Sequence, residues 1–154
     1  MKDEKTPQKL SNALICRIEQ VARLGRLSAH RFFEKNEKIN ITFNEFLILE
    51  TLHDNPKIHQ RNLAQIMLKD TANLSRDLDK LEKKEMIVRS VEIVKNRTVK
   101  TLTLSPYGKQ IYFDICEQCI KNVEKIENVF SDKEYNKFIE LIEKFQSRLL
   151  ETMD

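Results

Sequence analysis

The sequence predicts a mostly α-helical fold that contains one β-hairpin. The chain has 154 residues but only two glycines and three prolines, whereas a protein built from many tight hairpins needs these residues at its turns. Apolar residues recur at helical spacing over most of the length. Two short stretches, 88–94 and 99–104, are instead rich in β-branched residues or alternate in polarity, which favours strands. The length suits one domain, 1–154.

Two helices are predicted in the first third of the chain. The first spans about 9–35, and its apolar stripe consists of Leu10, Leu14, Ile18, Val21 and Leu24. The second begins after Thr42, because Thr42 and Glu45 have the spacing of a capping box. It runs to about His53, and the segment Asp54-Asn55-Pro56 ends it.

The middle of the chain alternates short helices with the two strands. Helices are predicted at 60–67 and 71–84, and Asp70 is a suitable N-cap for the second. This second helix has a buried stripe of Leu74, Leu78 and Leu81 and is otherwise polar. The residues Lys95-Asn96-Arg97-Thr98 join the two strands, and Asn is tolerated at the positive φ of hairpin turns.

Two long helices are predicted after the hairpin. Ser105 and Pro106 occupy the N-cap and first positions of one of them. Ser131 and Glu134 form a second capping box before the last helix. The predicted pair covers 106–152.

The charge is concentrated in the middle of the chain. Residues 57–109 hold 12 Lys+Arg and 6 Asp+Glu, which gives +6, whereas the other residues hold 15 and 18, which gives −3. This asymmetry favours a local surface for a polyanion.

The order of the elements in 42–104 predicts a winged helix-turn-helix lobe. The second short helix fits the major groove of DNA, which is about 12 Å wide. Lys95 and Arg97 at the hairpin tip can reach the backbone or the adjacent minor groove, where negative potential is concentrated. The basic third of the chain therefore coincides with the unit expected to face double-stranded DNA.

These segments resemble the MarR family of transcription regulators. The residues that carry the resemblance are Asn62-Leu63-Ala64-Gln65-Ile66, Asp70-Thr71-Ala72-Asn73-Leu74-Ser75-Arg76, Leu78-Asp79-Lys80-Leu81-Glu82-Lys83-Lys84, Ile87-Val88-Arg89 and Leu104-Ser105-Pro106-Tyr107-Gly108. The flanking long helices also match, so the resemblance covers nearly the whole chain.

The resemblance implies a DNA-contacting set. Ala72, Asn73 and Arg76 would read base edges, since Asn can bind adenine and Arg can bind guanine through two hydrogen bonds. Gln60, Thr71 and Ser75 would donate to phosphates. The remaining expected DNA contacts are Lys80, Arg89, Lys95, Asn96 and Arg97.

The resemblance also implies a homodimer held by helices 9–35 and 106–152. Phe138, Ile142, Phe145 and Leu149 form a large apolar stripe for one small chain, which supports this, although packing within one chain is the alternative. A two-fold axis would place two recognition helices about 34–36 Å apart, as a pseudo-palindromic operator requires. Repression is the commoner role of the family.

Two positions depart from the family pattern. Glu85 stands where the family has Gly after the recognition helix, and Glu disfavours the left-handed conformation expected there, so we expect that helix end to differ. At the hairpin tip, Lys95-Asn96-Arg97 replaces Asp-x-Arg, so the acidic partner of the wing arginine is absent.

The resemblance further implies a cleft for a small aromatic or anionic effector. Candidate lining residues are His30, Phe33, Phe43 and Tyr112, although such aromatic residues are also typical of a core. His59 stands at an N-cap position, where a local hydrogen bond is expected.

The cysteines suggest thiols rather than a disulfide framework. Cys116 and Cys119 form a C-x-x-C pair inside a predicted helix with no His at ligand spacing, so burial is favoured over metal or redox chemistry. Cys16 lies where the peroxide-sensing branch of the family has its reactive cysteine, which leaves a thiol-based redox sensor as one alternative function.

The composition excludes several other classes. Two glycines cannot form the Gly-rich phosphate loops of P-loop or Rossmann proteins, and no motif indicates an enzyme, a cofactor or a metal. No apolar run approaches the ~20 residues of a membrane span, and the charged start of the chain does not resemble a signal peptide, so a cytoplasmic protein without a membrane partner is expected. A winged-helix module that binds protein instead of DNA is the other alternative.

Overall fold

The computed structural model describes residues 9–36, 39–94 and 96–153. A short 3₁₀ turn, Leu10–Asn12, precedes the first helix. The elements that follow are α1 (Leu14–Lys35), α2 (Phe43–Asp54), β1 (Ile58–His59), α3 (Gln60–Ile66), α4 (Thr71–Lys83), β2 (Ile87–Val94), β3 (Arg97–Leu104), α5 (Pro106–Glu127) and α6 (Asp132–Glu151). The predicted mostly helical fold with one wing hairpin is confirmed.

The chain divides into two compact units, Met1–Tyr112 and Phe113–Asp154, and the division falls within α5. The first unit contains the winged-helix elements and a core built from α2, α3, α4 and the sheet. Its largest fully buried apolar residues are Ile48, Leu49, Leu52, Leu63, Leu74, Leu78, Leu81 and Leu102. The second unit contains the remainder of α5 together with the whole of α6. The N-terminus of α6 carries the predicted Ser131/Glu134 capping box.

The sheet has one strand more than the sequence predicts. The short β1 pairs antiparallel with β3, and β3 lies between β1 and β2. Two residues are too few to show the period-2 pattern by which a strand is recognised. Because His59 belongs to this strand and makes no side-chain cap hydrogen bond, the expected local bond of His59 is wrong.

The hairpin is also tighter than predicted. Its ladder runs from the Ile87–Leu104 pair to the Val94–Arg97 pair, so the loop contains only residues 95 and 96. Asn96 has φ 60°, which is the left-handed conformation that two-residue hairpin loops require. The predicted tip residue Lys95 lies outside the described residues.

The expectation that α4 ends differently at Glu85 is wrong. Glu85 adopts the left-handed conformation with φ 57°. The Glu85 amide donates to the Glu82 carbonyl at 2.9 Å and the Met86 amide to the Leu81 carbonyl at 3.0 Å, which is the hydrogen-bond pattern of a Schellman motif. Tertiary contacts therefore impose a left-handed helix end on a residue that disfavours it.

One of those contacts is the close approach of α5 to the segment after α4. The Ser105 amide donates to the Met86 carbonyl at 3.0 Å, and the Ser105 hydroxyl donates to the Glu85 carbonyl at 2.6 Å. A Cβ atom on Gly108 would lie 1.9 Å from the Met86 carbonyl oxygen. Only glycine allows this approach, which holds residues 85 and 86 in place.

An ion pair between the half-buried Lys84 and the buried Glu45 ties the other side of this helix end to α2. The Lys84 ammonium donates to both carboxylate oxygens of Glu45 at 3.1 Å and to the Asn40 carbonyl at 2.9 Å. Glu45 is only 2% exposed and also completes the capping box of α2, where it accepts from the Thr42 amide at 2.7 Å. The end of α4 is thus fixed to the beginning of α2.

The two glycines of the chain provide a matched test of the α5 approach. We expect Gly108→Ala to lower the free energy of unfolding by about 1–3 kcal/mol, because its methyl group meets backbone that cannot move freely. Gly25→Ala, whose Cβ meets nothing within 4 Å, should raise it by about 0.5–1 kcal/mol through helix propensity. Chemical denaturation of both variants measures the difference, and equal effects would contradict the close-approach argument.

Candidate nucleic-acid interface

The helices α3 and α4 are joined by a turn that needs a left-handed residue. Leu68 has φ 49°, and the Lys69 amide donates to the Ala64 carbonyl at 3.0 Å. The Asp70 carboxylate then accepts from the Asn73 amide at 2.8 Å and caps α4 as predicted. The turn and the cap together orient α4 as the second helix of a helix-turn-helix.

The helix α4 separates its apolar and polar residues by face. Leu74, Leu78 and Leu81 are fully buried. The opposite face is exposed and carries Ala72, Arg76, Lys80 and Lys83. Asp79 is exposed at the edge of this face and pairs with Arg89, so the face as a whole is cationic, which suits a surface for phosphate and base edges.

Three polar side chains at the start of α4 form a hydrogen-bonded chain. The Asn73 side-chain amide donates to Asp70, and the Arg76 guanidinium donates to the Asn73 side-chain oxygen at 2.8 Å. The hydrogen bonds from the Asn73 backbone and side chain hold the pKa of Asp70 below its usual value. The two predicted base readers are therefore already oriented relative to each other.

The acidic side chains of α4 lie on its flanks, where cations neutralise them. Asp77 lies 3.0 Å from the Lys69 ammonium and 3.6 Å from that of Lys80. On the other flank, Asp79 and Glu82 contact Arg89 of β2 at 2.7 and 3.6 Å. The structure thus places Arg89, an expected DNA contact, in a network with two carboxylates.

A cleft of about 780 Å³ lies between α3, the start of α4 and β3. It brings together three expected contacts, Gln60, Thr71 and Arg97. Its other lining residues are His59, Arg61, Asn62, Gln65, Thr98, Val99 and Lys100. The cleft is open to solvent, and it lies beside the exposed start of the recognition helix α4.

Sequence reasoning missed two cations of this cleft, Arg61 and Lys100. Both are exposed, and the ion pairs formed among residues 9–36, 39–94 and 96–153 include neither of them nor Arg97. The only sequence signal was the local excess of Lys and Arg, which does not show which cations remain unpaired. Pairing depends on neighbours that are distant in sequence.

The other expected contacts differ in accessibility. Asn96 is exposed at the hairpin tip, whereas Ser75 is half-buried and its carbonyl accepts from Arg89 at 3.3 Å.

A second group of predicted residues forms an aromatic cluster in the same unit. Ring centroids are 6.0 Å apart for His30 and Phe43, 5.7 Å for Phe33 and Phe43, and 5.8 Å for Phe46 and Tyr112. Phe33 and Phe46, at 5.5 Å, connect the two pairs. The four effector candidates therefore lie in one cluster.

Beside this cluster is a cavity of about 330 Å³ that is widely open to solvent. Of the candidates, His30 and Phe33 line it, whereas Phe43 and Tyr112 do not. The other lining residues are Glu34, Asn36, Ile39, Asn40, Ile41, Thr42, Glu45 and Lys84. The cavity wall thus includes the Glu45–Lys84 ion pair at the end of α4.

The cysteines are thiols, and all three are half-buried. Within the part of the chain that the structure describes, no group of three or more His, Cys, Asp or Glu side chains could hold a metal ion. None of the described helices combines the length and apolar character needed to cross a membrane.

Comparisons with known proteins agree with this geometry. The sequence model of the MarR family matches residues 41–92, which span α2 to most of β2. The HTH-type transcriptional regulator SarZ of Staphylococcus aureus strain USA300 is 24% identical over 118 residues, which are 77% of this chain and 78% of SarZ.

Solved structures share the fold over most of the length. The crystal structure of the transcriptional regulator SlyA has a TM-score of 0.76 at 20% identity, and the match covers 91% of this chain and 96% of the SlyA chain. The Staphylococcus aureus MepR–DNA complex has a TM-score of 0.73 at 19% identity and covers 89% of this chain and 96% of MepR.

Proposed function

We propose that this chain, which belongs to the MarR family of transcriptional regulators, binds a pseudo-palindromic operator as a homodimer and represses transcription. Like the family and the named relatives, it is a DNA-binding regulator and not an enzyme. The observation that carries the proposal is the exposed face of α4, which is cationic and lies beside a cleft whose cations Arg61, Arg97 and Lys100 form no ion pair among the described residues.

The proposed docking places α4 in the major groove. Its 13 residues form a rod of about 20 Å, and the exposed Asn73 and Arg76 at its N-terminal end are suited to contact base edges. The wing would then reach the adjacent minor groove through Arg97. Between the two, one phosphate backbone would lie along the cleft beside Arg61 and Lys100.

Arg76→Ala tests base reading. We expect operator affinity to fall by about 1–3 kcal/mol, because a bidentate contact to a base is lost, together with sequence preference at that position. Lys100→Ala should weaken binding to all DNA sequences alike. It should also reduce the slope of log affinity against log salt concentration by about one, as the loss of a phosphate contact does.

Gel-shift or anisotropy titrations at several salt concentrations measure both effects. Lys125 is an exposed cation of the second unit. Its substitution Lys125→Ala serves as the control and should change neither the affinity nor the salt slope. A module that binds protein instead of DNA would show no steep salt dependence, and unchanged affinity of Arg76→Ala would reject base reading by this residue.

The homodimer is supported by apolar stripes that each unit leaves exposed. In α1, Leu14, Val21 and Leu24 are each more than half exposed. In the second unit the large exposed apolar residues include Phe113, Ile120, Ile126, Val129, Phe138, Leu141 and Leu150. Large apolar side chains exposed in such number along the same helices mark an interface. All of them except Val129 lie on the helices that would pair around a two-fold axis.

Val21→Glu tests this interface against a neighbouring control. Both Val21 and Arg23 are exposed, but helical geometry places Arg23 about 160° from Val21 and about 100° from Leu24, away from the apolar stripe. Buried in an interface, the new carboxylate of Val21→Glu should yield monomers at micromolar concentration and weaken operator binding, whereas Arg23→Glu should remain dimeric. Sedimentation or light scattering gives the mass, and a dimeric Val21→Glu would count against this role of α1.

The cavity beside Phe33 is the site we propose for an effector. Its apolar wall of Phe33, Ile39 and Ile41 suits an aromatic or aliphatic body, and Lys84 offers a cation to a small anion. Lys84 is the C-cap residue of α4, so a ligand that draws it away from Glu45 would shift the recognition helix. Such a shift would change the spacing of the two helices in the dimer.

Small aromatic carboxylates, beginning with benzoate, test this site. We expect them to raise the melting temperature and to release operator DNA, because they bind the folded protein. Asn40→Trp, which fills the cavity while keeping the backbone carbonyl that accepts from Lys84, should abolish both responses. An unchanged response in Asn40→Trp would place the effector elsewhere.

A further inference from the structure

The three acidic residues of the recognition helix are divided between its two flanks. Asp77 lies on the flank that faces Lys69, and Asp79 and Glu82 lie on the flank that faces the wing. The exposed face between them carries Arg76, Lys80 and Lys83. The cationic character of this face therefore depends on how well the flanking carboxylates are neutralised.

Arg89 neutralises one whole flank from the neighbouring strand. Ser75, Asp79 and Glu82 are spaced i, i+4 and i+7 and so lie along one side of α4. The Arg89 guanidinium donates to the Asp79 carboxylate at 2.7 Å and to the Ser75 carbonyl at 3.3 Å, and its Nε lies 3.6 Å from Glu82. A single side chain thus spans two turns of the recognition helix.

The burial of Arg89 agrees with an internal role. Its side chain is 21% exposed, and its Nε is buried without a hydrogen-bond partner among the described residues. On β2 it lies opposite Leu102 of β3 and on the same strand face as Ile87, both of which are core residues. To reach a phosphate, the guanidinium would have to break its contacts with the carboxylates of Asp79 and Glu82.

We propose that Arg89 is a positioning residue for DNA binding, which contacts no DNA itself and fastens the wing to the recognition helix. This inference rests on the proposed DNA-binding function. Arg89 sets the distance between the two elements that must enter adjacent grooves. It also neutralises Asp79 and Glu82, which are about half exposed and would otherwise repel the phosphates beside the major groove.

The guanidinium is required because its planar fork can bond to several acceptors at once. A Lys ammonium is a point charge on a flexible stem, and it cannot span the Ser75 carbonyl and both carboxylates together. The charge of residue 89 and its geometry therefore make separable contributions.

The test compares Arg89→Met in two backgrounds, the natural one and one in which Asp79→Asn and Glu82→Gln remove both flanking charges. The probe is the double-stranded site that the unaltered dimer selects from a random library, titrated at several salt concentrations. In the natural background we expect a loss of affinity of about fiftyfold or more, because the wing is released and both carboxylates are unmasked. In the neutralised background we expect a loss of only about fivefold, because the wing is still released but no carboxylate remains to be masked.

A direct phosphate contact predicts the opposite pattern. Arg89→Met would then cost the same factor in both backgrounds and would lower the salt slope by about one, which would overturn the inference. If the unaltered protein selects no site, or binds DNA without salt dependence, the proposed function itself fails, and this result is distinct from failure of the Arg89 role.

Arg89→Lys keeps the inference testable if Arg89→Met does not fold, as thermal unfolding would reveal. Lys preserves the charge and remains a good phosphate ligand, so a direct contact predicts nearly unchanged affinity. We expect at least a fivefold loss with an unchanged salt slope, together with faster amide exchange in β2, because the wing is no longer held at three points. Unchanged affinity and exchange would overturn the inference.

Discussion

The ion pair between Glu45 and Lys84 is the interaction on which the placement of the recognition helix depends. Glu45 is almost completely buried, and a buried carboxylate without a partner would cost several kcal/mol. Its partner Lys84 is the C-cap residue of α4. The need to neutralise Glu45 therefore fixes the end of α4 against the beginning of α2. The same carboxylate caps α2, which makes one side chain responsible for two helix termini.

The conformation after α4 follows from this constraint and from the approach of α5. The Lys84 ammonium, the Ser105 hydroxyl and the glycine at 108 surround the segment from both sides. A left-handed Glu85 costs roughly 1–2 kcal/mol, and these contacts together offset that cost. A glycine is therefore not required at position 85, because the surrounding structure over-determines the backbone.

Much of the fold could be predicted because its signals are local. The capping boxes at Thr42 and Ser131 and the cap at Asp70 each involve residues within one helical turn, and all three are present. The candidate interface was only partly predictable. Composition located the basic third of the chain, but it did not distinguish Arg97, which has no acidic partner among the described residues, from Arg89, which has two.

The sequence by itself determined which segments become the helices and the two hairpin strands and which face of α4 is apolar, since period, caps and turn residues act between neighbours. Only the tertiary structure decided which charges face outward. Lys84 and Glu45 are 39 positions apart, and Arg89 and Asp79 are 10 apart on different elements. A residue's charge can be read from the chain, but its neutralisation depends on folding, because electrostatic pairing acts through space and not along the sequence.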